Sequence, residues 1–353
     1  MFAQPCLPIS PELHKDGSVT FRLQRPDARE VLVRLDGLAA PLKMTTSDGV
    51  WSATAGPLVS GSYCYSYQVD GRTELDPLNP EVMPNYAFLN SAFRIPEPEG
   101  APWECTDSPH GTVHRHFYET KIVKGLRGGQ SEYFVYTPPE YEEHSSTAYP
   151  TLYLLHGLSQ GAADWTVMGR ANFVLDNLIA DGMAKPMIAV MPLGYGDMAV
   201  ANKQPSEGDF AAMLFASNAL FADVLFTEII PRVEADYRAA KNWHQRAIAG
   251  LSMGGAQSLD IGLNGNGEFA WIGGFSAADA LVRRTSARDS ANDLELLWMS
   301  CGTEDWLLDS NRKLVGNLKE SGYAFSLTET PGAHNWPVWQ RNLVEFVQLL
   351  FTS

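Results

Sequence analysis

The run Gly250-Leu251-Ser252-Met253-Gly254 directly follows Arg246 and the apolar residues Ala247-Ile248-Ala249, and a serine framed this way sits on a sharp turn from a strand into a helix. Glycine is needed on both flanks because the turn is strained and its arms pass too closely for a Cβ. A serine hydroxyl is a weak nucleophile near neutral pH. Acyl-transfer chemistry therefore needs an imidazole to take its proton and an acid to hold that imidazole in one tautomer. Of the eight histidines, only His334 follows Ser252, in the loop Pro331-Gly332-Ala333-His334-Asn335-Trp336. For the acid, the apolar run 294–299 leads into Ser300-Cys301-Gly302-Thr303-Glu304-Asp305-Trp306. Glu304, Asp305 and Asp309 compete. Asp305 is the expected acid, placed where the strand has ended and the next helix has not begun, whereas Asp309 reads as a helix-start carboxylate that favours the first turn through the helix dipole.

The tetrahedral transition state develops an oxyanion, which needs two backbone N–H donors. The amide of Met253 supplies one. The second is expected from the loop after Leu152-Tyr153-Leu154-Leu155, at Leu158, with His156 fixing that loop by hydrogen bonding. Trp165, Trp306 and Trp336 lie in loops beside the oxyanion strand, the acid and the base. They are read either as a frame for a flat acyl group or sugar ring or as closure of the loop core. Asp164 is read as orienting a sugar hydroxyl or capping a loop.

These residues need elements to hold them. From about 113 onward, strand-like runs at 131–136, 151–155, 186–191, 246–249, 269–274 and 294–299 alternate with helical stretches near 170–181, 210–237, 254–263, 308–321 and 337–351, and a further strand-like run, 325–330, precedes His334. Continuous apolar strands between helices imply a mostly parallel, doubly wound α/β sheet covered on both faces. The first ninety or so residues read differently. Period-2 runs at Val19, Phe21 and Leu23, at Val31, Val33 and Leu35, and at Tyr63, Tyr65, Tyr67 and Val69 are separated by Asp16-Gly17, Asp36-Gly37, Asp48-Gly49 and Asp70-Gly71. That is the pattern of a small antiparallel sandwich. Trp51 and the tyrosines are read as its core rather than as a sugar platform. The proline-rich stretch from Pro96 to Pro102 marks a linker. The expected organisation is a β-sandwich at 1–96, a linker at 97–110 and a catalytic domain at 111–353.

Taken together, the motifs Tyr136-Thr137-Pro138-Pro139-Glu140-Tyr141, Tyr153-Leu154-Leu155-His156-Gly157, Asp176-Asn177-Leu178-Ile179, the run from Lys185 to Pro192, Gly250 to Gly255 and Pro331 to Trp336 resemble the feruloyl and acetyl-xylan esterases of carbohydrate esterase family 1. Their superfamily also includes enterochelin esterases and mycolyltransferases. The resemblance runs from about Gly111 to the C-terminus. It implies an α/β-hydrolase fold, Ser252, Asp305 and His334 as the triad, and Leu158 and Met253 as the oxyanion positions. The chain departs from it at Ala333, where relatives often have glycine, and at Leu158-Ser159-Gln160, where a glycine-rich run is usual. The segment 1–96, with Leu75-Asp76-Pro77-Leu78-Asn79-Pro80, resembles the immunoglobulin-like early-set modules related to family 48 carbohydrate-binding modules. The implied function is hydrolysis of feruloyl esters of cell-wall sugars. Acetyl-xylan esterase, siderophore esterase, acyltransferase to a sugar, and a carbohydrate-binding protein with an inactive hydrolase body are the alternatives.

Composition narrows the classes further. A net charge of −15 argues against nucleic acid, since no basic stripe offsets phosphate repulsion. It also weighs against an anionic iron-loaded siderophore. Cys6, Cys64, Cys105 and Cys301 form no C-x-x-C pair, and no metal- or nucleotide-binding motif is present, so no cofactor is expected. The expected partners are a small-molecule or oligosaccharide ester, with polysaccharide reached through the N-terminal domain. The apolar runs read as too interrupted for the ~20 residues of a membrane span. Met1-Phe2-Ala3-Gln4-Pro5 carries no basic and apolar leader pattern. A secreted or periplasmic location, with its leader absent here, is preferred over a cytoplasmic one.

Overall fold

The computed structural model describes residues 8–97, 100–143, 146, 148–202, 207–265, 267–283, 294–324 and 326–352. Met1–Pro5, Cys6, Pro98, Glu99 and Phe325, which figure in the sequence reading, lie outside them. Two compact units emerge: Met1–Ala101, to which Asn335–Pro337 are assigned, and Pro102–His334 with Val338–Ser353.

The first unit is built from two antiparallel sheets. One contains Glu12–Leu13, Val19–Gln24, Val50–Ala55 and Thr45–Ser47; the other contains Leu42–Lys43, Val31–Leu35, Gly61–Val69, Asn90–Ile95 and Val82–Met83, with Arg72–Glu74 on the long strand. Two hairpins close with Asp48-Gly49 and Asp70-Gly71, all four residues at positive φ, the conformation a two-residue type I′ turn requires. Val19, Phe21 and Leu23 of one sheet share a core with Val31, Val33, Tyr63, Tyr65 and Tyr67 of the other. Trp51, Tyr63, Tyr65 and Tyr67 are all buried and are core. The buried Asp76 carboxylate accepts from Tyr65 (2.7 Å), Tyr67 (3.1 Å) and Ser10 (2.6 Å). Burial, then the Asp76 charge, pushes both phenols far above their ordinary pKa.

The second unit is an eight-stranded mixed sheet: β1 Thr112–Glu119, β2 Gln130–Thr137, β3 Thr151–Leu155, β4 Ile188–Pro192, β5 Arg246–Leu251, β6 Trp271–Phe275, β7 Leu296–Gly302 and β8 Ser326–Thr330. Its spatial order is β1-β2-β4-β3-β5-β6-β7-β8. The pairings β1–β2 and β2–β4 are antiparallel, and the remainder are parallel. The sheet is thus mostly parallel, with an antiparallel edge. β1 was not legible as a strand because its residues, including His114, Arg115 and His116, are mostly exposed or half-buried, so no apolar face marks it. The longer helices are α1 Ala171–Ala180, α2 Glu207–Val224, running through a π turn at Leu225–Ile229 into α3 Ile230–Asp236, α4 Met253–Asn264, α5 Leu308–Glu320 and α6 Trp336–Leu349.

Two expectations need correction. Residues 102–110 are no free linker: Trp103 is buried, and the Asn177 side-chain amide of α1 donates to the carbonyls of Pro102 (2.8 Å) and Glu104 (2.9 Å). Beside it, buried Asp176 accepts from Gly111 N (2.8 Å), Tyr136 Oη (2.7 Å) and His110 Nδ1 (2.9 Å). Asp176-Asn177 thus ties the chain's entry into the second unit to the sheet. Second, Asp209–Asp236 is one helix of 28 residues whose most apolar 18-residue window has mean hydropathy 1.6, long and apolar enough by composition to cross a membrane. Its leucines, phenylalanines and Val224 supply most of that hydropathy, while Asn218 and Asp223 interrupt the apolar run. Leu214, Phe221, Val224, Leu225, Ile229 and Val233 pack into the core of the unit, so one face is covered while only a third of the apolar stretch is buried.

Candidate active site

Ser252 stands between β5 and α4 with φ 53° and ψ −113°, a backbone region costing on the order of 1–3 kcal/mol and tolerated only where the surroundings over-determine it. The surroundings here are the flanking glycines. A Cβ on Gly250 would lie 2.6 Å from the backbone of Gly254, and one on Gly254 would lie 2.5 Å from the carbonyl oxygen of His156. The amide of Ser252 donates to Phe275 O (2.8 Å) at the end of β6, which holds the turn to the sheet.

The structure brings Ser252, Asp305 and His334 together. Ser252 Oγ lies 3.1 Å from His334 Nε2, and His334 Nδ1 lies 2.8 Å from Asp305 Oδ2. The second Asp305 oxygen accepts from the Leu307 amide (2.9 Å). Burial pushes the Asp305 carboxyl up, but the hydrogen bond and charge of His334, the Leu307 amide and the Ser276 hydroxyl outweigh it and hold the carboxyl below its ordinary value. An ionised acid therefore faces Nδ1–H and leaves Nε2 free to accept the serine proton. The competing carboxylates are elsewhere: Glu304 is exposed, and Asp309, with its side chain 96% exposed, pairs with Arg312 on the outer face of α5.

The amide of Met253 opens α4, where it has no intrahelical acceptor. Among the described residues neither it nor the Leu158 amide donates to another group. The loop carrying Leu158 is braced from several sides. His156 Nδ1–H donates to Gly157 O (2.8 Å) and its Nε2 accepts from Gly194 N (2.9 Å), an arrangement that fits one neutral tautomer. Burial lowers the His156 pKa to about 4, so the ring stays neutral and serves as a brace. Where a glycine-rich run was absent, Ser159 takes φ 65° and Gln160 Oε1 accepts from Gly157 N (2.7 Å). Tyr195 donates to Gln160 O (3.0 Å). Tyr195 went unread in the sequence, and Gln160 was read only as part of a departure from a glycine-rich run. Their signal was position, in loops at the carboxyl ends of β3 and β4, where parallel sheets build their sites.

The remaining candidates divide. Trp306 is 73% exposed with its ring 5.3 Å from that of His334. Trp165 is 1% and Trp336 2% exposed, which corrects the reading that either frames a ligand. Trp165 donates its indole N–H to Leu155 O (2.9 Å), and Trp336 opens α6 as a core side chain. Asp164, 1% exposed, caps the loop through Gly161 N (2.7 Å) and so presents no carboxylate to a sugar.

Burial raises the Asp164 pKa to about 7 against the pull of the Gly161 hydrogen bond. The folded state thus keeps a proton that the unfolded state sheds near pH 3.8. Asp164 costs nothing below that pH, costs progressively more as pH rises to 7, and levels off above. Asp164→Asn removes this titration. Urea unfolding of the variant relative to wild type is expected to shift in the variant's favour by roughly 4 kcal/mol between pH 4 and pH 8, at 1.36 kcal/mol per unit. A pH-independent difference would mean that Asp164 is ionised in the folded protein at neutral pH.

The chain is similar to known esterases. Residues 127–350 match the family described as "Putative esterase". The chain is 29% identical over 346 residues to an endo-1,4-beta-xylanase/feruloyl esterase of Xylanibacter ruminicola, covering 97% of this chain and 46% of that protein. It spans about half the length of that relative. Among solved structures, a ferulic acid esterase from Anaeromyces mucronatus in complex with ferulic acid aligns with TM-score 0.59 at 21% identity, over 70% of this chain and 93% of its own. An enterochelin esterase from Shigella flexneri aligns with TM-score 0.69 at 17% identity, over 97% and 95%. These two likenesses are of fold.

Proposed function

The chain belongs to the Putative esterase family, and from that premise we propose that it is a serine esterase of the carbohydrate esterase family 1 type, cleaving hydroxycinnamoyl, above all feruloyl, esters of plant cell-wall sugars. The observation that carries the chemistry is the continuous hydrogen-bonded line from Ser252 through His334 to Asp305. The acyl class is supported by the feruloyl esterase name of a relative matched along nearly the whole chain.

His334 Nε2 takes the Ser252 proton as Oγ attacks the ester carbonyl. Asp305 holds Nδ1–H and stabilises the imidazolium. The amides of Met253 and Leu158 receive the oxyanion, each worth about 2.7–4 kcal/mol when such a donor is removed. The imidazolium returns its proton to the departing sugar alcohol, leaving an acyl group on Ser252. Water, deprotonated by the same Nε2, then releases the acid.

The test is hydrolysis of methyl ferulate beside p-nitrophenyl acetate. Serine-dependent turnover of both supports the feruloyl reading. Acetate turnover alone moves it to an acetyl esterase, and product partitioning to an added sugar moves it to a transferase. Trp306 is assigned to stacking on the aromatic acyl ring. Because it is exposed, Trp306→Ala is expected to leave thermal stability unchanged while lowering kcat/KM for methyl ferulate about tenfold, an aromatic contact of roughly 1.4 kcal/mol. Ethyl acetate hydrolysis followed in a pH-stat should not change. Equal losses on both esters would remove Trp306 from the acyl site.

A further inference from the structure

The Leu158 N–H and the Gly157 carbonyl belong to one planar peptide unit. In a trans peptide the two point in opposite directions, so whatever holds Gly157 O also aims the Leu158 N–H. Three donors hold that carbonyl: His156 Nδ1–H at 2.8 Å, the Gln160 amide at 3.3 Å and the Tyr195 hydroxyl at 3.4 Å. The hydroxyl also donates to Gln160 O (3.0 Å), so it spans both ends of the turn from Gly157 to Gln160. Tyr195 is fully buried, and its ring packs on that of His156 with centroids 5.1 Å apart. The clamp is anchored through one short segment after β4. Gly194, next to Tyr195, donates its N–H to His156 Nε2 (2.9 Å), and its carbonyl accepts from Gln257 Nε2 (2.8 Å). Gln257 lies in α4, one turn after Met253, and the Met253 amide is the other oxyanion donor. The clamp therefore refers the second donor to the helix that carries the first. Gly157 leaves the loop no slack, since a Cβ there would lie 2.7 Å from Leu251 Cδ1, in the residue before Ser252.

We propose that Tyr195 is a positioning residue for the oxyanion site: its hydroxyl, together with His156 Nδ1–H, fixes the Gly157–Leu158 peptide plane so that the Leu158 N–H points at the developing oxyanion. The inference rests on the reading of Leu158 as the second donor and adds a buried phenol that acts only through that plane. A donor already in place gives more to the transition state than one that must turn during the reaction. Without the hydroxyl the plane rocks, the N–H spends less time in line, and the loss falls on the transition state more than on the bound ester.

Tyr195→Phe removes the hydroxyl and keeps the ring on His156. It is expected to lower kcat on p-nitrophenyl acetate about tenfold with KM within about twofold, and to weaken inhibition by phenyl trifluoromethyl ketone, whose adduct with Ser252 carries the oxyanion, by the same factor. A second change addresses the donor itself. Replacing Leu158 by its α-hydroxy acid through nonsense suppression puts an ester oxygen where the N–H stands, and is expected to cost about 10²–10³ in kcat. In that background Tyr195→Phe should cost less than about a further twofold, because the two groups act as one unit. Wild-type kcat and ketone inhibition in Tyr195→Phe overturn the inference, as does an undiminished tenfold loss once the N–H is gone. An ester at position 158 that left kcat unchanged would defeat the Leu158 donor reading and this inference with it, whereas full loss from the ester beside none from Tyr195→Phe defeats the inference alone. Neither probe carries a feruloyl group, so failure of the feruloyl reading leaves this test intact.

Discussion

Ser252→Ala is expected to lower kcat on methyl ferulate and on p-nitrophenyl acetate by about 10⁶, the scale seen when the nucleophile of a serine triad is removed. The variant should nevertheless fold as wild type does. Alanine at φ 53° carries much the same backbone cost as serine, and the lost hydroxyl bonded only a half-buried site beside His334. Its unfolding free energy should fall within about 1 kcal/mol of wild type. Rates and calorimetry on the same preparation check both halves. Near-normal turnover by Ser252→Ala would move the nucleophile elsewhere and end the proposed mechanism. Residual catalysis above water would be the share of the oxyanion donors and of binding.

Asp305→Asn should cost about 10⁴ in kcat, while Glu304→Gln stays within about twofold. The asymmetry has a physical origin. An Asn amide turned to His334 with its NH₂ places a donor against Nδ1, which forces the ring proton onto Nε2, where it blocks acceptance from Ser252 Oγ 3.1 Å away. Glu304 is one residue earlier, but its side chain is exposed, and what it contributes to the loop is its backbone amide, which donates to Gly332 O (2.9 Å). Glutamine keeps that amide. If Glu304→Gln proved the damaging change, the acid assignment would fall.

Much of this site was legible because the turn types and strand ends that make it are local. The elbow geometry follows from glycine at 250 and 254, the sandwich hairpins from Asp48-Gly49 and Asp70-Gly71, and Asp305 from its place between a strand and a helix. The antiparallel edge strand was hidden, since a strand without a buried face leaves no period-2 apolar trace. Adjacent residue types also misled. Trp165, Trp306 and Trp336 look alike in sequence, yet one ring is exposed beside His334 and two are buried, because burial depends on which face of the packed unit a loop presents.

What the amino-acid order determined by itself was the chemistry on offer and the backbone that offers it: a serine on a turn too tight for side chains, a single downstream histidine, and an acid at a strand end between them. Tertiary structure alone decided that Ser252 and His334, 82 residues apart, approach to 3.1 Å, that Asp305 rather than Glu304 points inward, and that His156 and Asp164 are braces. Covalent spacing controls conformation over only a few residues. Contacts and pKa values depend on which strands lie side by side, and here the parallel register of β3, β5, β6 and β7 carries the oxyanion loop, the nucleophile and the acid to one edge of the sheet.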